Sequence, residues 1–194
     1  MLRCLYDQFH EPNPQKVPSK RAEDRSVGFQ HHSSILLFNQ SSLKDLQRVV
    51  KDQYEKRNET AELANIDINM ELFRPNLVID EEPAYSEDGY RALEFPSHEG
   101  SENLKIHFHG HCQRCNAITL NLEQHTRNFD KEPYSTLDLY RREKSSLKPV
   151  LGILIHISNP SEEGRTLKVG DKISITALDA SENMGLELVA SELI

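Results

Sequence analysis

Lys105-Ile106-His107-Phe108-His109-Gly110-His111-Cys112-Gln113-Arg114-Cys115 is the stretch on which the fold of this chain turns. Ile106 and Phe108 fall on one side of a two-residue period, and Lys105, His107, His109 and His111 on the other. That is the pattern of a half-buried β-strand. Gly110 breaks the strand just before a Cys-x-x-Cys step that encloses Arg114. The strand therefore ends in the densest group of reactive side chains in the sequence, which His125 extends.

Outward from this strand the elements are short. Ile35-Leu36-Leu37-Phe38, Leu77-Val78-Ile79 and the run from Val150 to Ile157 are apolar enough for buried strands. Leu2 to Tyr6 suits a short strand whose partners lie elsewhere, and residues 7–27, rich in proline and basic residues, read as a long connection. Asn116 to Leu122 alternates like a further strand. Leu167 to Ile175 reads as strand, tight Gly170-Asp171 turn, strand. One helix stands out over residues 42–57, where Leu43, Leu46, Val50 and Tyr54 recur at helical intervals and Ser42 and Asp45 have capping-box spacing. Residues 58–71 read as a loop, and Pro75 is expected to hold Arg74 extended. Many short strands with one clear helix argue for an α+β or barrel-like domain.

Composition limits what such a domain can do. The 194 residues suffice for one domain with a real core. Only 37% are apolar and 28% are charged, and no run approaches the roughly 18 apolar residues of a spanning helix. Met1 to Asp7 lacks the apolar region of a secretory signal. Three cysteines are too few for a disulfide scaffold and point to a reducing compartment, the cytoplasm. A net charge of −8 argues against a general binder of nucleic acid or anionic membrane. Residues 80–102 carry eight acidic residues against Arg91 alone and read as a solvated surface.

Several chemistries compete for the Cys112–Cys115 region. Cysteine and histidine are ligands for zinc, with two thiolates on one ion across a Cys-x-x-Cys turn. The same spacing serves redox thiols at the start of a helix. A third possibility is a thiolate beside the cationic Arg114, a pairing that favours the charged form of each. Tyr140-Arg141-Arg142-Glu143-Lys144 is either a solvated helix end or a clamp for phosphate or carboxylate, and Arg74 is a further candidate for such a clamp. The sequence contains no Gly-rich phosphate loop, nucleophile elbow or HExxH motif.

Five spaced motifs resemble the MOSC domain, in particular the C-terminal domain of eukaryotic molybdenum cofactor sulfurases. They are Phe73-Arg74-Pro75-Asn76-Leu77-Val78-Ile79, Pro83 to Tyr90, Cys112-Gln113-Arg114-Cys115, Pro133-Tyr134-Ser135-Thr136-Leu137 with Tyr140-Arg141-Arg142, and Val169-Gly170-Asp171. The amidoxime-reducing component of mitochondria is a related second likeness. The resemblance implies a mixed, β-barrel-rich α+β fold over residues 29–179, preceded by a strand and polar connection over 1–28 and followed by a tail over 180–194.

It also implies a molybdenum cofactor, a pterin carrying dithiolene-held molybdenum and a terminal phosphate. On that likeness Cys115 is the metal ligand and catalytic residue, and Arg74, Asn76, Arg114, Arg141 and His31 line the cofactor. The expected role is sulfuration of the cofactor, with a pyridoxal-phosphate-dependent cysteine desulfurase acting in cis or in trans and molybdenum hydroxylases as further partners. The alternatives are a molybdenum-dependent reductase of N-hydroxylated compounds and a zinc-binding interaction module. The chain departs from the family pattern at Phe29-Gln30-His31-His32, at Asn39 and in the stripe His107, His109, His111. Neither the N-terminal β-barrel module nor the desulfurase domain of such proteins has a counterpart in these residues.

Overall fold

A computed structural model describes residues 3–4, 35–98, 102–122, 124–157 and 167–178. Its strands are β1 (Arg3–Cys4), β2 (Ile35–Asn39), β3 (Leu77–Ile79), β4 (Tyr90–Phe95), β5 (Leu104–Gln113), β6 (Leu120–Asn121), β7 (Thr126–Arg127), β8 (Val150–Ile157) and β9 (Ser174–Leu178). Two α-helices, α1 (Gln40–Lys56) and α2 (Tyr134–Tyr140), join them. Seven strands form one mixed sheet in the order β1-β3-β2-β8-β5-β4-β9, curled as a half-barrel, and β6 and β7 make a separate hairpin. The α+β, barrel-like expectation is met.

The sheet is antiparallel except where β2 runs parallel to β3. A parallel pair needs a crossover, and α1 opens that connection. The side chain of Asn39 caps α1 by accepting from Ser41 N–H at 3.1 Å, so the cap is Asn39 and not Ser42. Ser42 lies inside the first turn, where its hydroxyl donates to Glu87 at 2.7 Å and accepts from Tyr85 N–H at 2.8 Å. Leu43, Leu46, Val49, Val50 and Tyr54 form the buried face of the helix.

Each face of the sheet has its own core. One cluster contains Leu37, Leu77, Leu93, Phe95, Ile106, Ile153 and Ile155. The other contains Phe38, Leu46, Tyr54, Phe73, Ile118, Leu137 and Leu151 beneath the helices. Leu151 and Ile153 are two residues apart yet belong to different clusters, which a regular strand forbids. The register explains it. His111 pairs with Ile153 and Gln113 with Val150, so Leu151 and Gly152 together oppose Cys112 in a β-bulge. Gly152 supplies the positive φ of 76° that this requires.

The structure corrects several sequence expectations. Residues 116–119 are a 3₁₀ turn, with only Leu120–Asn121 extended beyond it. In the 168–171 turn, Lys168 N–H donates to the Asp171 carboxylate at 2.8 Å, so side-chain bonding replaces a first strand and pairing begins at Ser174. Residues 58–71 hold the 3₁₀ turn Thr60–Asn65 and the start of a second, Met70–Phe73. The acidic segment is not wholly solvated: Glu87 is fully buried and held by Ser42 and Asn39. Arg3–Cys4 does form a strand, paired with β3, whereas residues 7–27, His31 and the tail from residue 180 lie outside the described residues.

Candidate functional site

The end of β5 builds the site. Arg114 continues the ladder, its N–H donating to the carbonyl of Pro149 at 2.8 Å. Its side chain is 7% exposed. Nε donates to the carbonyl of Leu151 at 2.9 Å, Nη2 donates to the same oxygen, and Nη1 donates to the carbonyl of Phe73 at 3.3 Å. The guanidinium lies 5.6 Å from the ring centre of Phe38 and 5.3 Å from that of Phe73. A Cβ on Gly152 would sit 3.3 Å from Nη2, so the glycine also leaves room for the arginine.

No described carboxylate pairs with this buried cation. Burial lowers its pKa, and the groups whose negative charge, when ionised, opposes that shift are the sulfurs of Cys112 and Cys115. A desolvated charge is costly unless an opposite charge meets it. Arg141, the other deeply buried arginine, has that partner: Nη2 donates to Asp88 at 2.6 Å, with side-chain exposures of 5% and 16%. Arg142 pairs with Asp138. Both arginines of the 140–144 cluster already have carboxylates, Arg141 buried with Asp88 and Arg142, more exposed, with Asp138.

Arg74 is not extended. It has φ 53° and ψ 49° and closes the 3₁₀ turn Met70–Phe73 as a left-handed cap, with Pro75 immediately after it. Proline disfavours the right-handed region for its predecessor, and at the end of this turn the left-handed one is taken instead. The side chain is exposed and forms no ion pair with a described residue. Asn76 ties β3 to β2, its Oδ1 accepting from Leu36 N–H at 2.7 Å and its own N–H donating to Leu36 O at 2.9 Å.

The two cysteines are separated by extended chain. β5 runs to Gln113, Arg114 still bonds the neighbouring strand, and Cys115 has φ −114° and ψ 171°. Three extended steps set the Cα atoms about 10 Å apart, whereas a disulfide spans at most about 7 Å. This geometry offers neither a disulfide nor two sulfurs on one zinc ion. Cys115 is exposed, Cys112 half-buried, and both are free thiols.

The histidine stripe is split. Phe108 pairs with Ile155 and Gly110 with Leu154, so a bulge at His109 changes the phase of the strand. His107 and His109 lie beside His156 of β8, with ring centres at 6.3 and 5.7 Å. His111 turns to the face of Phe108, 5.1 Å away, and burial lowers its pKa. Among the described residues no group of three or more His, Cys, Asp and Glu is placed to hold a metal ion.

Comparison with known proteins gives this geometry its family. A MOSC domain model matches residues 24–174. The chain belongs to the MOSC domain family. It is 30% identical over 173 residues to a protein of Aspergillus niger named molybdenum cofactor sulfurase, covering 83% of this chain and 20% of the relative. A tomato (Solanum lycopersicum) protein of the same name is 30% identical over 149 residues, 76% of this chain and 17% of the relative. The Arabidopsis thaliana relative, named likewise, is 27% identical over 153 residues, 78% and 17%. This MOSC chain thus spans about a fifth of the length of the curated relatives it matches.

Within the MOSC domain, the structure joins two motifs 40 residues apart, because the carbonyl that Arg114 binds belongs to the residue before Arg74. Cys115 follows directly and opens the 3₁₀ turn Asn116–Thr119, which packs against Met70–Phe73. Arg141 is paired with Asp88, and its Nε donates to the carbonyl of Val150 at 3.4 Å, next to the Leu151 carbonyl that holds Arg114. Sequence reasoning missed Gly152, Leu151 and Phe38, the residues that hold Arg114. Gly152, a lone glycine inside an apolar run, was the signal for the bulge. No described helix is long and apolar enough to cross a membrane.

Proposed function

We propose that this MOSC domain binds the molybdenum cofactor and holds it for sulfuration of the metal. The observation that carries the proposal is Arg114, a buried guanidinium with no described carboxylate, next to the exposed thiol of Cys115. A soft thiolate suits a metal–sulfur centre, and a desolvated arginine suits a phosphate or a pterin carbonyl. The donor set therefore fits the cofactor.

In this reading Cys115 contacts the metal or the incoming sulfur. Arg114 neutralises the ligand from beneath, and the exposed Arg74 closes over it. Asn76 hydrogen-bonds the pterin, and Arg141, fixed by Asp88, supports the wall of the pocket. His31 belongs to the proposed lining on the strength of the family likeness alone. When bound, the cofactor supplies the molybdenum that receives sulfur; the chain supplies orientation and charge. The relatives' shared name supports a role in sulfuration, and the sulfur would come from a pyridoxal-phosphate-dependent desulfurase in cis or in trans.

The chain, purified from cells that make the cofactor, is expected to carry molybdenum and pterin, and Cys115→Ala to lose molybdenum. Equal molybdenum in the wild type and the variant would sink the ligand assignment. A wild-type chain without pterin would sink the cofactor reading as a whole.

A further inference from the structure

Seven of the described arginines sort by partner, while Arg91 donates to the carbonyls of Asp88 and Tyr90. Arg48, Arg57, Arg141 and Arg142 pair with carboxylates. Arg74, Arg114 and Arg127 pair with no described carboxylate, although the net charge is −8. These three converge on one short segment. Arg114 and Cys115 are consecutive, Arg74 follows the residue whose carbonyl Arg114 binds, and Arg127 Nη1 donates to the carbonyl of Asn116 at 3.1 Å.

Arg127 is built into this position. It pairs with Leu120 in the β6–β7 hairpin, and Nη1 also donates to Thr119 Oγ1 at 2.6 Å. The next residue, Asn128, donates its N–H to Thr119 O at 2.7 Å and holds the backbone of Asp67 through its side chain, at 3.0 and 2.7 Å. One corner of the guanidinium is thus fixed to the turn that Cys115 opens. Nε and Nη2 form the free edge of the fork, with no hydrogen-bond partner among the described residues.

We propose that Arg127 is a third cationic arm of the Arg114–Cys115 site and contacts the phosphate end of the ligand bound there. The proposal rests on the reading of that site as a pocket for an anionic cofactor. A phosphate monoester carries nearly two negative charges near neutral pH and three strong acceptor oxygens. Arg114 supplies one charge and has already committed three of its N–H groups to carbonyls. The Nε–Nη2 edge of Arg127 presents the two parallel N–H donors that bind phosphate in bidentate fashion.

The test uses the full chain in two measurements: titration of the cofactor-free protein with inorganic phosphate, and pterin content after purification from cofactor-making cells. Arg127→Gln keeps an amide donor for Asn116 and removes the charge, while Arg127→Lys keeps the charge and loses the fork. Arg127→Gln is expected to bind phosphate about tenfold more weakly, the loss of one charge-assisted contact, with a shallower dependence on salt and less pterin. Wild-type phosphate affinity and salt dependence in Arg127→Gln would overturn the proposal, as would the absence of saturable phosphate binding to the wild type. If Arg127→Gln does not fold, Arg127→Lys decides: weaker phosphate binding at an unchanged melting temperature supports the fork, and unchanged binding overturns it. A wild type without pterin overturns the cofactor reading, whereas equal loading of wild type and Arg127→Gln with equal phosphate affinity overturns the role of Arg127 alone.

Discussion

Nη1 of Arg114 donates to the carbonyl oxygen of Phe73 at 3.3 Å, and this single bond joins the end of β5 to the turn that Arg74 closes. It fixes the buried cation from one side while Leu151 fixes it from the other. Three N–H groups meet backbone carbonyls, and none meets a described carboxylate. The positive charge is oriented by carbonyls without a described carboxylate, which is what the proposed anion site requires.

Gly152→Ala should disrupt this arrangement by crowding the backbone and ring that surround Arg114, whose Nη2 the added Cβ would also approach to 3.3 Å. The added Cβ would lie 2.9 Å from the carbonyl of Leu37 and 3.1 Å from Phe38 Cδ2, at a φ of 76° that alanine adopts poorly. Backbone strain and overpacking together predict a loss of about 2–4 kcal/mol. Urea unfolding measures it, and a wild-type midpoint would show that the bulge tolerates a side chain.

Asp88→Asn should be costly for a different reason. It leaves Arg141 buried with its charge unmatched, because Nη2 loses the carboxylate at 2.6 Å. Removing one partner of a buried pair costs about 3–5 kcal/mol, and the exposure of Asp88 places the expected value at the lower end. Thermal melting of Asp88→Asn beside Arg142→Ala, whose pair with Asp138 is more exposed, should separate the two by most of that amount. Similar melting temperatures would contradict the assignment of Arg141 as a buried, paired cation.

Glu87 gives the fold a pH dependence of predictable sign. Burial, and after it the charge of Asp88, raises its pKa against the hydrogen bonds of Ser42 and Asn39. The folded state therefore holds this proton more tightly than the unfolded chain does. Its stabilising contribution is complete below the ordinary carboxyl range and fades as pH rises from there through the raised folded value. Glu132 acts in the same direction through its own burial. The difference in unfolding free energy between wild type and Glu87→Gln, followed by urea midpoint from acid to neutral pH, isolates Glu87. The wild type should lose ground to the variant as pH rises, and a constant difference would refute the shift.

Much of the fold was legible because local periodicity reports burial on one side of an element. The alternation at Lys105–His109, the apolar run of β8 and the spacing from Leu43 to Tyr54 each survived in the structure. The failures share a cause. Residues 116–119 alternate like a strand but bond to themselves as a 3₁₀ turn, with Thr119 Oγ1 and Arg127 both meeting the carbonyl of Asn116. His111 left the histidine stripe because a bulge shifts the phase of β5. Such breaks depend on the partner strand, which periodicity within one segment does not register.

The sequence by itself determined the class of the domain and the motif set that places it in the MOSC family, and it offered the cysteines and arginines from which the proposed cofactor site is drawn. It could not decide which arginines remain available to a ligand, since every guanidinium is equivalent until neighbours are assigned. The tertiary structure made that division by bringing Asp88 to Arg141 and Asp138 to Arg142 while leaving Arg114 among carbonyls and aromatic rings. The physical reason is that charge compensation is a property of contacts formed across the chain. Asp88 and Arg141 are 53 residues apart, and tertiary contacts such as that between Tyr85 and Tyr140, near them in sequence, make them a pair.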